Sequence, residues 1–543
     1  MKKINLKNIL LACCIGLFSL SACNDLDQVP TDRFTDETFW QSTDNSELVV
    51  NMAYSQMYNA GKMWQDESLS DNMFDGRSNT AERVIRNGLA DPSLGRFADE
   101  WKWAYEGIKT CHTYLDNVDR VPDMDVTLKE RRKAEIRFIR AYLFFRMTNF
   151  YGDVPFFTKD LTIAESRTIS RTPRAQVVEF IHKELDEIMP LLPKRDNLSK
   201  DDNGRITKGA ACALQARAYL YDNDWAKVEE YCNKLINVQG EYGTYALFPS
   251  YPGMFLQDNE YNTEVILDYA YVPSVKTWQE MYDMAPLSAG ARLNAKAPTQ
   301  SLVDNYITLN GKSITEDPDY NANNPYVNRD PRLSATVVYH GFQWTNTDGT
   351  KRTIYIKPGS NDNKIDMYVS ASANTTSTGY YVKKYFDPKA EADLKSALNI
   401  IMFRYADVLL MYAEAKLEQG ALTSAVWDNT IKQIRKRAGF TDSAALDYPL
   451  GVSTDALREI VRNERRSELA LEGLRYYDIK RWKAGTKYLN GYVFGAKFAS
   501  NNTQNIRLDN RQFVESRDYL WAVPLSQIDL NQNLKPNNPG YAN

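Results

Sequence analysis

Two glutamates on one predicted helix have a spacing that acid–base chemistry can use. Glu464 and Glu468 lie one helical turn apart, and paired carboxylates in this arrangement can act as general acid and general base. Five arginines crowd positions 458–475, and Arg404 and Arg435 lie in neighbouring predicted helices. Guanidinium groups are the usual partners of buried carboxylates, because an unpaired buried charge is very costly. We therefore interpret both glutamates as members of structural ion pairs, with catalysis as the alternative.

Cys23 is a second residue whose surroundings indicate chemistry. Three lysines precede an apolar run from Ile9 to Leu20, which ends in Leu-Ser-Ala directly before Cys23. This pattern predicts a secretory signal peptide over residues 1–22, and the run is too short for a permanent membrane span. The small residues before the cysteine resemble a bacterial lipobox, in which the thiol receives diacylglycerol and the freed amine is acylated. We expect Cys23 to be a lipid anchor; an ordinary signal peptide with a coincidental cysteine is the alternative.

Other catalytic patterns are absent from the sequence. The three histidines, His112, His182 and His340, are scattered and form no His-Glu-x-x-His motif, which argues against a zinc hydrolase. The chain also has no Gly-x-Ser-x-Gly elbow and no glycine-rich phosphate loop. We expect no enzymatic activity and no cofactor.

The stretch after position 316 contains part of a calcium-loop pattern. Oxygen-bearing side chains occupy positions 1, 3, 5 and 7 of such a loop, at Asp317, Asp319, Asn321 and Asn323. Position 6 is Ala322 rather than glycine, and position 12 is an asparagine rather than glutamate. We interpret the stretch as a solvated loop without a metal.

The net charge limits the kinds of partner that the chain can bind, and the number of cysteines limits its disulfide bonds. The formal net charge of −4 becomes about −7 once the three lysines of residues 1–22 are removed, and nucleic-acid binders need a clustered basic surface. After Cys23, only Cys111, Cys212 and Cys232 remain. An odd number of widely spaced cysteines is no disulfide framework. We expect buried free thiols, with a Cys212–Cys232 bridge as the alternative, and no nucleic-acid partner.

Apolar residues at helical spacing predict a mostly α protein. The helices are predicted at about 44–60, 96–119, 128–150, 173–190, 206–221, 224–237, 399–418, 424–438 and 454–483. Small, aromatic and turn residues of a tetratricopeptide-like helical pair recur around Ala216, Asn223 and Trp225, and in part around Ala413 and Gly420. Polar residues within 399–418 indicate a buried helix with ion pairs rather than a membrane span.

Two stretches differ in amino-acid composition from the predicted helical scaffold. Residues of about 61–95 and 240–395 are rich in Asn, Asp, Tyr, Pro and Gly, with short strand-like runs such as Val265–Tyr269, Ala335–Tyr339 and Thr353–Ile356. Long irregular segments on a rigid scaffold usually carry the binding function. We expect a single domain over 23–543, with its helical scaffold at about 40–60, 96–240 and 396–485 and both irregular stretches meeting in a binding region.

Five motifs follow one another along the chain. They are LDQVPTDRFTDETFW after Cys23, AEIRFIRAYLFFRMTNFYGDVPFFT (134–158), MFRYADVLLMYAEAKLEQG (402–420), IRKRAG (434–439) with the Glu/Arg block 459–482, and AVPLSQIDLNQNLKPNNPGY (522–541). In this order they resemble one family, the SusD/RagB outer-membrane lipoproteins of Bacteroidetes. The resemblance implies a tetratricopeptide-like helical scaffold with an irregular ligand-binding region. It also implies a lipid-anchored, non-catalytic surface protein that binds glycans and delivers them to a SusC-like TonB-dependent β-barrel. A peptide ligand, as in the RagB branch, is the nearest alternative; a surface glycoside hydrolase and a pure protein-interaction scaffold are others.

The ligand residues must come from the irregular stretches, because the matching motifs belong to the scaffold. Sugar rings stack on Trp and Tyr, while Asp, Asn and Arg bind their hydroxyls. The chain has 34 Tyr and 10 Trp. As candidate ligand residues we select exposed aromatics with polar neighbours, namely Trp64 with Asp75 and Arg77, Trp278 with Tyr271 and Tyr282, and Trp344. Packing of each ring within its own loop is the alternative.

Overall fold

The computed structural model describes residues 36–77, 80–346, 348–360, 364–498 and 505–542. The predicted signal peptide and Cys23 lie outside the described residues. The longer helices are Thr43–Ser55, Ala60–Ser68, Ala81–Arg86, Gly95–Asn117, Val126–Tyr151, Arg174–Ile188, Lys208–Tyr221, Trp225–Asn237, Gln300–Asn305, Tyr405–Glu418, Ser424–Asn429, Ile431–Ala438, Thr454–Glu468, Arg475–Arg481 and Leu525–Leu530. Shorter helices are Asp36–Phe39, Ile163–Ser166, Gln239–Tyr242, Arg332–Thr336, Ser443–Leu446 and Gly485–Tyr488. Within the described ranges, every helix is too short or too polar to cross a lipid bilayer.

The β-structure consists of small antiparallel two-stranded sheets. The pairs are Met73–Asp75 with Lys296–Pro298, Val154–Pro155 with Arg171–Thr172, Val265–Tyr269 with Ile400–Arg404, Val337–Val338 with Tyr381–Val382, Phe342–Thr345 with Lys351–Ile354, and Gly491–Lys497 with Asn505–Arg511. Four of these six pairs involve strands from 240–395, as the strand-like runs predicted.

The helices of the scaffold pack as antiparallel neighbours. The helix Val126–Tyr151 begins where the Asp125 side chain accepts a hydrogen bond from Leu128 N, at 2.9 Å, and ends at Gly152 with φ 71°. It packs between the helices Gly95–Asn117 and Arg174–Ile188. Lys208–Tyr221 packs against Trp225–Asn237 across a turn in which Asn223 takes φ 58°. The mostly α fold with helical pairs is therefore confirmed.

Three boundaries differ from the predicted ones. Residues 400–404 form a strand, because the uninterrupted apolar run carried no helical period, and the helix begins only at Tyr405. The predicted helix 454–483 breaks between 469 and 474, where Leu471 and Gly473 take positive φ. The stretch 61–95, predicted to be irregular, contains two helices, Ala60–Ser68, which Asn59 caps, and Ala81–Arg86.

The strands Val265–Tyr269 and Ile400–Arg404 form a stem for the segment between them. Ile400 pairs with Tyr269 and Arg404 pairs with Val265, so residues 270–399 leave and re-enter the scaffold at one place. Arg404 has almost no exposed surface. It binds Glu264 at 2.7 Å, Glu468 at 2.6 Å and Glu472 at 2.7 Å, which fixes the stem to the helical scaffold.

The glutamates of the Thr454–Glu468 helix are ion-pair partners, as expected. Glu468 binds Arg404, Arg332 at 2.9 Å and also Arg437. Glu464 binds Arg332 and Arg435, each at 2.7 Å. Three guanidinium groups hold the pKa of Glu468 far below its usual range although burial opposes this. The structural interpretation of the pair is confirmed.

Two smaller expectations have different outcomes. Cys111, Cys212 and Cys232 are buried free thiols, as predicted, and burial raises their pKa values.

The interpretation of the stretch after 316 as solvated is wrong at Asp317. This carboxylate is buried and accepts hydrogen bonds from Thr308, from Asn310 at 3.1 Å and from the Asp319 N–H at 3.0 Å. The described residues contain no cluster of three His, Cys, Asp or Glu side chains suited to a metal ion.

Candidate functional site

Three of the selected residues, Asp75, Arg77 and Tyr282, lie in one surface region. The strand Met73–Asp75 pairs with Lys296–Pro298, so Asp75 lies opposite Lys296. Just beyond, Gly76 N donates to Ala295 O at 2.8 Å, and Ala295 N donates to Asp283 O at 2.7 Å. Arg77 and Tyr282 each lie one residue from this chain of hydrogen bonds. The two irregular stretches therefore meet here, as expected.

The side chains around Tyr282 combine an aromatic ring with polar groups. We call the residues Arg77, Tyr282, Asp283, Arg292 and Asn374 the tyrosine rim. The Arg292 guanidinium lies 5.4 Å from the Tyr282 ring centre and binds Asp283 through two contacts of 2.6 and 2.9 Å. Arg77 Nη2 lies 3.5 Å from the Asn374 side-chain oxygen. The rim thus presents a partly exposed ring flanked by donors and acceptors.

The backbone beside Tyr282 is strained. Asp393 and Leu394 have φ of 59° and 54°, values that non-glycine residues rarely adopt. Gln279 Nε2 donates to Asp393 O at 3.0 Å and so holds this turn against the Tyr282 segment. A hydrogen bond with the Asp393 carboxylate raises the pKa of the Tyr282 hydroxyl. Strain of this kind is often found at binding sites, where the surrounding structure maintains it.

Asp75 supports the rim rather than facing a ligand. Its side chain is only 2% exposed, and Oδ1 accepts a hydrogen bond of 3.0 Å from Arg77 N. Burial raises the pKa of the Asp75 carboxyl, while the Lys296 ammonium opposes that shift. Asp75, selected as a polar neighbour of Trp64, is therefore buried, and its carboxylate organises the turn that carries Arg77.

The remaining four selected aromatics are core residues, so the expectation that they are exposed loop residues is wrong. Trp64 and Trp344 have no exposed surface, Trp278 is 5% exposed and Tyr271 is 8% exposed. Trp64 lies edge-on to the Tyr385 ring. Tyr271 accepts from Ala60 N at 2.9 Å, and Trp278 donates to Leu398 O at 2.7 Å. In this structure none of these four rings offers a free face to a sugar.

The residues Asp283, Arg292, Asn374 and Asp393 were not selected from the sequence. Asp283 directly follows Tyr282, so an aromatic–acid pair in an irregular segment was the one available signal. Asn374 and Asp393 reach the rim only through long-range folding of 270–399, which local sequence patterns do not encode. Arg292 reaches it through a loop that returns the chain to Asp283, nine positions earlier.

Two family models match this chain. One, described as "SusD family", matches residues 263–541, slightly more than half of the chain. The other, described as "Starch-binding associating with outer membrane", matches residues 26–220. The chain belongs to the SusD family. The resemblance found in the scaffold motifs is confirmed.

Relatives and solved structures agree with this membership. SusD-like protein P2 of Formosa agariphila is 25% identical over 100% of both chains. The starch-binding protein SusD of Bacteroides thetaiotaomicron is 26% identical over 81% of this chain and 78% of its own. A SusD-like carbohydrate binding protein from Bacteroides fragilis superposes with a TM-score of 0.83 at 26% identity, covering 92% of this chain and 100% of that one. This SusD-family protein therefore belongs to a carbohydrate-binding family associated with the outer membrane.

Proposed function

We propose that this SusD-family protein captures oligosaccharides at the cell surface and delivers them to a SusC-like TonB-dependent β-barrel without cleaving them. The tyrosine rim carries the proposal. A sugar ring has an apolar C–H face, which stacks on an aromatic ring, and a border of hydroxyls, which pair with carboxylate, amide and guanidinium groups. Tyr282 supplies the ring, while Asp283, Arg292 and Asn374 supply the polar groups.

The side chains of the rim are held in place before a ligand binds. Arg292 is held by two contacts with Asp283, and the backbone hydrogen bonds through Ala295 fix the Tyr282 segment against the Gly76 turn. Side chains that are ordered before a ligand arrives lose less entropy on binding. The rim therefore suits a ligand made of stiff, polar rings, such as the sugar units of an oligosaccharide.

The membrane attachment and the partner belong to the same proposal. Cys23 would carry the acyl chains, and several chains on one residue give stable anchoring. The lipid would hold the protein at the outer face of the outer membrane beside its β-barrel partner. Weak binding by each copy would suffice, because tethered binders share ligand through a high effective concentration.

The test is isothermal titration of the protein from Asn24 onward against a panel of neutral oligosaccharides and a peptide pool. Tyr282→Ala should weaken the binding of the recognised glycan about tenfold, or about 1.4 kcal/mol, because it removes the stacking face. Tyr492→Ala is the matched control. Tyr492 is 53% exposed and lies beneath Arg507 at 4.0 Å, but it is outside the rim.

Each outcome of the titration decides between functions. Glycan binding that Tyr282→Ala weakens and Tyr492→Ala does not supports the proposal, provided that no reducing sugar is released. Binding of peptides alone would replace it by the RagB-like function, and release of sugar would replace it by hydrolysis. Equal loss in both tyrosine variants would remove the rim as the site.

A further inference from the structure

A cleft of about 700 Å³ lies apart from the tyrosine rim. It opens between residues 249–256, 331–335 and 383–386 and the end of the helix Ile431–Ala438. Its apolar wall consists of Pro249, Pro252, Phe255, Leu256, Pro331 and Phe386. Ser250 and Ser334 add hydroxyl groups to the same lining. A concave surface of this size with a few polar groups is typical of a small-ligand site.

The charges that line this cleft are all of one sign. Among the described residues the lining contains Arg332, Lys383, Lys384 and Arg437, and no aspartate or glutamate. Three of these cations are compensated by carboxylates outside the lining, namely Arg332 by Asp330 at 2.7 Å, Lys384 by Glu472 at 2.6 Å and Arg437 by Glu264 at 2.7 Å. The fourth, Lys383, is different.

Lys383 has no carboxylate within ion-pair distance in the part of the chain that the structure describes. Its ammonium instead lies 4.0 Å from the Trp344 ring centre and 5.0 Å from that of Phe386. Its backbone N–H donates to Thr336 O at 2.9 Å, which fixes the residue at the edge of the cleft. Burial lowers the pKa of Lys383 to about 8. Ring faces compensate a desolvated cation only in part, so Lys383 retains the capacity to bind an anion.

We propose that this cleft binds an acidic saccharide, with the carboxylate or sulfate of a sugar ring on Lys383 and the body of the ring against Phe386 and the prolines. The inference rests on the proposed function, since it names a class of glycan for the same protein. The mature chain has a net charge of about −7, so its surface as a whole repels such a ligand. Exposed charges are screened beyond about 8 Å at physiological salt, whereas the local field of an uncompensated ammonium in a partly dry cleft persists.

The test compares four proteins, all from Asn24 onward: wild type, Lys383→Met, Lys383→Arg and the control Lys200→Met. Lys200 is an exposed lysine that does not line the cleft. Each is titrated with oligogalacturonate, which carries carboxylates, with a sulfated galactan oligosaccharide, and with neutral oligosaccharides. At least one acidic ligand should bind wild type, lose at least tenfold in affinity in Lys383→Met, and stay within threefold in Lys383→Arg and Lys200→Met. Which of the two ligands binds distinguishes carboxylate from sulfate.

Other results overturn the inference. Acidic saccharides that bind Lys383→Met as well as wild type would place the anion elsewhere. If neutral glycans bind through Tyr282 while no acidic glycan binds, the inference fails but the proposed function stands. If no saccharide of either kind binds, both fail. Peptides whose binding requires Lys383 would assign the cleft to a peptide carboxylate instead. The melting temperature of Lys383→Met should not fall below that of wild type, because the variant removes a partly buried charge that has no carboxylate partner among the described residues and keeps most of the aliphatic stem.

Discussion

Replacing Glu468 by glutamine tests whether the Glu/Arg block is structural. One carboxylate oxygen binds Arg404 and Arg437, and the other binds Arg332 at 2.9 Å. All four side chains are nearly or fully enclosed. The variant removes one negative charge from this buried cluster, so its net charge becomes more positive by one unit, although each of the three arginines keeps another carboxylate partner. Breaking a buried ion pair in this way costs about 3–5 kcal/mol.

The expected shift in melting temperature follows from the size of the domain. At about 2.1 cal/mol/K of unfolding entropy per residue, a chain of about 500 residues unfolds with about 1 kcal/mol/K. Glu468→Gln should therefore lower the melting temperature by about 3–5 °C. Urea unfolding followed by tryptophan fluorescence gives the free-energy difference independently, through the change in midpoint at constant slope.

The control for Glu468→Gln is Asp455→Asn on the same helix. The Asp455 side chain is 91% exposed and pairs only with Arg458 among the described contacts. Exposed pairs contribute at most about 1 kcal/mol. A loss below about 1 kcal/mol in Glu468→Gln, or equal losses in both variants, would refute the structural interpretation. Loss of glycan binding by folded Glu468→Gln would do the same and would revive a role for this carboxylate in the site.

Two further predictions concern stability. Burial raises the pKa of the Glu260 carboxyl from its ordinary value of 4.5 to about 7, and the Asp268 carboxylate nearby adds to the shift. Between pH 4.5 and pH 7, the folded protein thus keeps on Glu260 a proton that the unfolded chain has lost. The contribution of Glu260 to stability therefore falls as pH rises through 7. The free energy of unfolding of Glu260→Gln relative to wild type should therefore be about 1 kcal/mol greater at pH 8 than at pH 5, as measured in thermal melts. The gain is this small because a half-buried carboxyl keeps part of its hydration. An unchanged difference would contradict this. Trp64→Leu should lose about 2–4 kcal/mol in urea unfolding and leave glycan affinity intact, and a selective loss of affinity would return Trp64 to the site.

The sequence predicts the bounds of a helix well where residues at its ends cap the helix or stop it. The boundaries of the helix Val126–Tyr151 differ from the predicted 128–150 by one or two residues, because Asp125 caps its start and Gly152 ends it. The helix Ala60–Ser68 was missed because its polar residues are buried rather than solvated. Asp66, for example, binds Arg146 at 2.7 Å and is 0% exposed. Ion pairs between residues eighty positions apart leave no periodic signal.

The candidate site, like the helices, could be predicted from the sequence only in part. Composition indicated which stretches would bind, and those stretches do meet at the Gly76–Ala295–Asp283 hydrogen bonds. Composition did not indicate which rings would be exposed. Trp278 and Tyr282 lie four residues apart in one irregular segment, yet Trp278 is buried and anchors the segment to Leu398, while Tyr282 is partly exposed. Large aromatics in a long loop fill the loop's own small core first, so exposure depends on tertiary contacts.

The stem of Val265–Tyr269 and Ile400–Arg404 has a consequence for how such a protein can change its specificity. Paired strands lie about 4.8 Å apart, so the ends of the segment 270–399 are held together whatever its interior contains. Closing a loop on fixed ends costs only about 0.6 kcal/mol more for each doubling of its length. The segment holds Tyr282, Arg292 and Asn374 of the rim, and it holds Lys383 with about half of the residues that line the cleft. Because Arg404 ties the stem to the scaffold, loops of the segment that do not contact the scaffold can lengthen, shorten or change in sequence, while Arg332 keeps the rest of the segment bound to Glu464 and Glu468.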